Sequence, residues 1–279
     1  MRTSATAGAS AYGLLRSLAA VIVLGVIAAL AGCGGSAQGS NSDPGQVDTT
    51  TAPESGACRM LTPDDVALPS NATATVPCAE PHTAQTFLVD NFPSSLTDTT
   101  HDDPELAAHA YPQCRDAFAT FTGGDESLVM RSVVSWVWFG PSEQAWKDGA
   151  RWFRCDLVGG GPQSEKFVTL PTNAKGLLSG RPEDEWLACA RGESFDGSVK
   201  VPCSDDHDWR AVTTIKLGEP EDPYPGDKVA RARTQDYCSD SVGAWLGYPV
   251  QYDFAYTWFH EAEWEAGNRR SVCWAATDQ

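Results

Sequence analysis

Basic side chains are scarce in this chain: 20 Lys and Arg stand against 37 Asp and Glu, a formal charge of −17 over 279 residues. Such a surface repels phosphate backbones and anionic headgroups, which argues against nucleic acid as a partner. Long apolar runs are lacking too. The one strong run, LAAVIVLGVIAALA, is about 14 residues, short of the roughly 20 that a helix needs to span a bilayer. Catalytic signatures are absent: there is no Gly-x-Ser-x-Gly elbow, no His-Glu-x-x-His, no Ser-x-x-Lys and no phosphate-binding loop. Carboxylates are so widespread that no pair stands out as acid and base. Their one cluster, EPEDPYPGD at 219–227, lacks the ligand spacing of a calcium loop and reads as a solvated acidic loop.

What the chain does have begins at its N-terminus. Arg2 and Arg16 lead into the short apolar run, which ends in Leu30-Ala31-Gly32-Cys33. This is the three-part layout of a signal peptide, expected over residues 1–32. Leu-Ala-Gly-Cys resembles the bacterial lipobox, in which a diacylglyceryl group joins the cysteine sulfur before cleavage makes that cysteine the new N-terminus. Lipidation at Cys33 would place the chain on the outer face of the cytoplasmic membrane. Losing Arg2 and Arg16 with the leader takes the formal charge from −17 to −19. Residues 33–55, rich in Gly, Ser, Thr and Pro with Val47 as their only large apolar residue, read as the lipidated cysteine and a flexible tether.

With Cys33 assigned to lipid, eight cysteines remain of the nine, an even number for an oxidising compartment. They fall into two sets because the chain is internally duplicated. Val76-Pro77-Cys78-Ala79-Glu80-Pro81-His82 recurs as Val201-Pro202-Cys203-Ser204-Asp205-Asp206-His207, an offset of 125. Cys114 matches Cys238 at 124, Trp138-Phe139 matches Trp258-Phe259 at 120, and Trp146, Gly149, Arg151 and Cys155 match Trp264, Gly267, Arg269 and Cys273 at 118. Cys58 corresponds to Cys189. The expected organisation is one module over 56–160, a linker over 161–184 and a second module over 185–279.

Four cysteines per module allow three pairings. Local context favours first with second and third with fourth. Turn-rich sequence separates Cys58 from Cys78 as in a hairpin. Cys114 sits on an apolar helical stripe with Leu106, Ala110, Ala117 and Phe121, and Cys155 sits on the strand-like RWFRCDLV. The second copy repeats this with Ala230, Thr234, Cys238, Val242 and Trp245, and Cys273. The fold predicted is α+β: two tandem disulfide-stapled modules, each a small antiparallel sheet covered by a helix, in the order strand, strand, helix, strand, helical turn, strand.

The repeated Cys-x-x-x-His is the strongest candidate for chemistry. Zinc binding or a Cys–His nucleophile would need free thiolates at Cys78 and Cys203, and an exported protein is expected to have oxidised them. His82 and His207 are therefore read as structural, each hydrogen-bonded at a strand turn, and no catalytic residue, metal or cofactor is assigned. His101 and His109 have no counterpart in the second copy and read as surface residues. Asn71-Ala72-Thr73 fits a glycosylation sequon but reads as a turn. The tryptophans at 136, 138, 146, 152, 258 and 264 could form a carbohydrate-stacking face; their duplication favours core packing.

Val-Pro-Cys-x-x-Pro-His, then a helix cysteine, then a Trp-rich segment with Pro141-Ser142 and Trp146 before the last cysteine, resembles the septum-formation domain of actinobacterial membrane-associated proteins. The likeness covers nearly all of residues 56–276 as two copies. The second departs from it with Asp206 in place of the proline and His260-Glu261 in place of Pro-Ser. The resemblance implies an envelope role near the division septum and carries no catalytic residues. The expectation is a non-enzymatic, membrane-anchored lipoprotein that binds a protein or cell-wall partner. The alternatives are a cell-wall hydrolase or metal-dependent enzyme centred on His82 or His207, and a small-ligand receptor with its site between the modules.

Overall fold

The computed structural model describes residues 49–161, 164–265 and 267–277. The expected signal peptide, Cys33 and the tether up to residue 48 lie outside the described residues. The first module holds β1 (Cys58–Arg59), β2 (Thr75–Val76), β3 (Ala84–Asn91), β4 (Ser135–Phe139) and β5 (Trp152–Val158), with helices α1 (Pro63–Val66), α2 (Pro104–Thr122), α3 (Glu126–Met130) and α4 (Glu143–Lys147). The second holds β6 (Ala188–Arg191), β7 (Val199–Pro202), β8 (Trp209–Lys216), β9 (Phe254–Thr257) and β10 (Arg270–Ala276), with α5 (Asp227–Trp245) and α6 (Glu261–Glu265). Both sheets are antiparallel, and their orders, β2-β1-β3-β5-β4 and β7-β6-β8-β10-β9, are one topology used twice. The duplication extends to an irregularity: Phe87 bulges out of the β3–β5 ladder, and Val212 does so at the matching point of β8–β10.

Each module carries one strand more than the sequence pattern predicts, because β3 and β8 escape a period-two reading. Each is the middle strand of its five-stranded sheet, next to β5 or β10, and the first half of β3 is buried on both faces, so apolar and polar residues do not alternate along it. Helix α2 starts at Asp103, whose side chain accepts from the Glu105 amide, and stops at Gly123, which adopts φ 73. Its buried stripe is Leu106, Ala110, Cys114, Phe118 and Thr122, and that of α5 is Ala230, Thr234, Cys238, Val242 and Gly243. Trp245, expected on the α5 stripe, is 51% exposed.

The four disulfides are Cys58–Cys78, Cys114–Cys155, Cys189–Cys203 and Cys238–Cys273, with Cα separations of 5.3, 5.6, 4.8 and 5.1 Å. In each module one clasps the short N-terminal hairpin, and the other staples the long helix to the sheet. A second repeated anchor is an arginine over a tryptophan. Arg151 lies 4.0 Å from the Trp146 ring and Arg269 4.0 Å from that of Trp264, while each indole donates to a backbone carbonyl, Thr99 or Asp222.

The faces of the two sheets turned away from the long helices differ sharply. In the first module this face carries a buried polar network. Arg59 donates to Thr86 Oγ1 at 2.8 Å, Thr86 donates to Asp156 at 2.6 Å, and Arg154 donates to Asp156 at 3.0 Å and to Asn71 at 3.1 Å. Burial and then the neighbouring charge of Arg154 hold the Arg59 pKa below its ordinary value, with Asp156 opposing them. The segment over residues 60–73 covers the network, with Leu61 fully buried against Phe139 and Val158. The same four positions in the second module are Ala190, Ala211, Val272 and Trp274, all apolar and all buried.

That apolar face is where the modules join. Ala188, Ala190, Ala211, Val272 and Trp274 belong to one core with Phe118, Val133, Val134 and Leu157 of the first module. Backbone bonds cross the junction, from Val133 to the Trp186 carbonyl at 3.1 Å and from Ala188 to the Arg131 carbonyl at 2.8 Å. Arg270 pairs with Glu126 at 2.7 Å, and Thr214 bonds Ser127 at 2.8 Å. The linker is part of the same core. Leu170, Ala174 and Leu178 are buried in it, and the Leu170 and Leu178 amides donate to the carbonyls of His82 and Thr122. The helix side of one module thus receives the back of the next.

Candidate functional site

The junction leaves a cleft of about 870 Å³ between the modules, within the range of binding pockets. One wall is the solvent side of α2 together with β4, from which Tyr111 and Trp136 project. Their rings meet edge to face, with centroids 4.8 Å apart, and Tyr111 remains 39% exposed. The opposite wall comes from the second module and includes Lys216, Pro220, Glu265 and Gly267. Gly267 adopts φ 99, and a Cβ there would lie 3.1 Å from Arg115 Nη1, so glycine meets both the turn and the close approach. Pro112 stands inside α2 at the cleft and withdraws one amide donor from the helix ladder there.

Most of the charge around the cleft is compensated locally, while Glu265 has no ion pair among the described residues. Arg115 pairs with Asp116 at 2.9 Å, Lys216 with Glu219 at 2.6 Å, and Arg270 with Glu126 at 2.7 Å. Arg269, at the cleft's inner edge, is held by the carbonyls of Trp264, Glu219 and Pro220. An aromatic floor bordered by paired charges suits a ligand with an apolar face and many neutral hydrogen-bonding groups.

A related groove of about 460 Å³ lies on the second module. It uses Arg231, Ala232 and Gln235 of α5, the positions that correspond to Ala107, Ala108 and Tyr111 of α2 when Cys238 is laid on Cys114. Trp258 supplies its aromatic wall, and the Tyr256 hydroxyl lies 3.3 Å from both Arg231 and Gln235.

The residues singled out by sequence fall elsewhere. His82 and His207 are 1% and 3% exposed, and each donates from Nδ1 to the carbonyl two residues earlier, Glu80 or Asp205, at 2.8 Å. That bond fixes the tautomer and leaves Nε2 as an acceptor, which has no hydrogen-bond partner among the described residues in either copy. Cys78 and Cys203 are in disulfides. His101 Nδ1 lies 3.9 Å from Asp102 Oδ1, while His109 packs edge-on against Phe153. Asn71 is 1% exposed and buried in the polar network.

The tryptophans divide. Trp146, Trp152 and Trp264 are buried, whereas Trp136 and Trp258 line the cleft and the groove. The strand register also revises one match. Trp138 lies opposite Cys155 and Tyr256 opposite Cys273, so Trp258-Phe259 stand beyond the end of β9 and are not the register equivalents of Trp138-Phe139. Sequence reasoning missed Tyr111 and Pro112 as site residues; a proline inside a helical pattern was the one signal at this turn.

Among the described residues no helix is long and apolar enough to cross a membrane, and no three His, Cys, Asp or Glu side chains are grouped to hold a metal ion. A family model described as Septum formation matches the chain twice, over residues 28–140 and 131–273. No curated protein and no solved structure matches the chain significantly.

Proposed function

The chain belongs to the septum-formation family, as two tandem copies of its domain, and from that premise we propose that it is a non-enzymatic envelope lipoprotein, anchored through Cys33 on the outer face of the cytoplasmic membrane, that binds a protein or cell-wall partner in septum formation or envelope maintenance. The observation that carries the binding role is the cleft between the modules, where Tyr111 and Trp136 face residues of the second copy. A shared core holds the two walls in place, so the site is organised before a ligand arrives. Burial of both histidine rings and oxidation of Cys78 and Cys203 support a structural role for the repeated motif over a hydrolytic one. The anchor rests on the position and flanks of Leu30-Ala31-Gly32-Cys33.

A fluorescent fusion followed in dividing cells tests the reading. The unmodified chain is expected in the membrane fraction and enriched at the septum, and Cys33→Ala is expected to leave the membrane. A uniform or cytoplasmic signal from the unmodified fusion would overturn it.

A further inference from the structure

We propose that the inter-module cleft and the groove on the second module are paired subsites for an uncharged sugar polymer, a chain of N-acetylated amino sugars such as a cell wall presents. This rests on the envelope reading and narrows its partner to a chemical class.

Three observations carry the assignment. The first is the ring pair: Tyr111, exposed on α2, braces Trp136 edge to face and leaves an aromatic surface open to the cleft. Aromatic faces in a wet cleft suit the C–H side of a pyranose ring, which is flat and apolar while its edge is polar. The second is electrostatic. Arg115, Lys216 and Glu126 at the rim each have an opposite charge within 3 Å. Those pairs can accept and donate hydrogen bonds to hydroxyl and acetamido groups, but they offer little net attraction to an ion. With a whole-chain charge of −17, an anionic ligand is disfavoured further. A strongly charged peptide is therefore the poorer occupant.

The third observation is the repetition. The same three helix positions line both sites, 107, 108 and 111 in one and 231, 232 and 235 in the other, and each site has a tryptophan, although Trp136 on β4 and Trp258 just past β9 do not correspond in register. Two similar sites on one rigid chain gain from a ligand that repeats along its length, because engagement of the first raises the effective concentration at the second. A single small molecule gains nothing from that duplication.

The test titrates the full chain, purified in detergent, with the β-1,4-linked tetramer of N-acetylglucosamine, using calorimetry for stoichiometry. Ala108 and Ala232 are both exposed on their helices, so Ala108→Trp and Ala232→Trp fill the two sites without touching the core. Each is expected to remove one of two binding events, and the double variant both. Tyr111→Ala is expected to weaken the cleft event by up to about tenfold, the scale of one aromatic contact. Thermal midpoints of all variants should match the parent, which separates blocked binding from misfolding. No binding of the tetramer by the parent, or binding that survives the double block, would overturn the proposal. So would tighter binding, in the same cleft, of an unstructured peptide of mixed charge. Septal enrichment of the fusion together with such a failure would leave the envelope reading standing and remove only the ligand class.

Discussion

Asp156 is the residue on which the first module's back face turns. It is fully buried between Arg154 at 3.0 Å and Thr86 at 2.6 Å, and through Thr86 it also compensates Arg59. Two guanidiniums share one carboxylate, so its loss strands two buried cations, whereas loss of Arg154 leaves one cation with one anion. Removing one partner of a buried pair costs about 3–5 kcal/mol, mostly as the uncompensated charge left behind. Asp156→Ala is therefore expected to destabilise the chain by about that amount and Arg154→Val by clearly less, although Arg154 also lies 4.7 Å from the Phe139 ring. Urea unfolding of the two variants compares them, and an equal or reversed order would refute the charge-balance account. Little of this was legible beforehand. In RWFRCDLV, Arg154 and Asp156 alternate with Phe153, Cys155 and Leu157 as residues on a solvent face do. Only the covering segment over 60–73, remote in sequence, buries them.

The elements were more legible than their surroundings, because duplication shows the same pattern twice. The long helices, the terminal strands and two disulfides per half follow from stripes and cysteine positions that each copy repeats. The central strands β3 and β8 did not: the first half of β3 is buried on both faces, and β8 is half-buried along most of its length, so neither shows the alternation that marks a strand. A site between the modules was one of the alternatives the sequence left open, but its lining was unreadable because the two walls come from different copies, and no spacing within either one records their approach. The staples differ in what they restrain. Cys114–Cys155 closes 41 residues and joins a helix to a sheet, while Cys189–Cys203 closes 14 within a hairpin. Loop-closure entropy assigns the longer one about 4 kcal/mol and the shorter about 3 kcal/mol. Replacing both cysteines of each pair by alanine should reproduce that order in chemical denaturation. The reverse order would show that the hairpin disulfide holds more than its own loop.

At the scale of the molecule, two copies of one domain need not behave as two domains. The apolar back of the second sheet has lost its access to water by packing on the first module, and the linker is drawn into the same core through Leu170, Ala174 and Leu178. Neither module can unfold without exposing the other's share of that core, and the Arg270–Glu126 pair and the backbone bonds between 131–133 and 186–188 would break with it. The chain is therefore expected to melt in one calorimetric transition whose enthalpy agrees with its van 't Hoff value, as a single cooperative unit does. Leu178, fully buried in the linker, offers the sharper test. Leu178→Ala should cost about 2–5 kcal/mol, as a buried leucine does, and should lower the midpoint while leaving the transition single. Two resolved transitions, with only the first moved by the substitution, would mean that the modules are tethered beads and that the cleft between them opens freely. One moving transition would mean that its walls are as fixed as either core, which is the condition a preformed binding cleft requires.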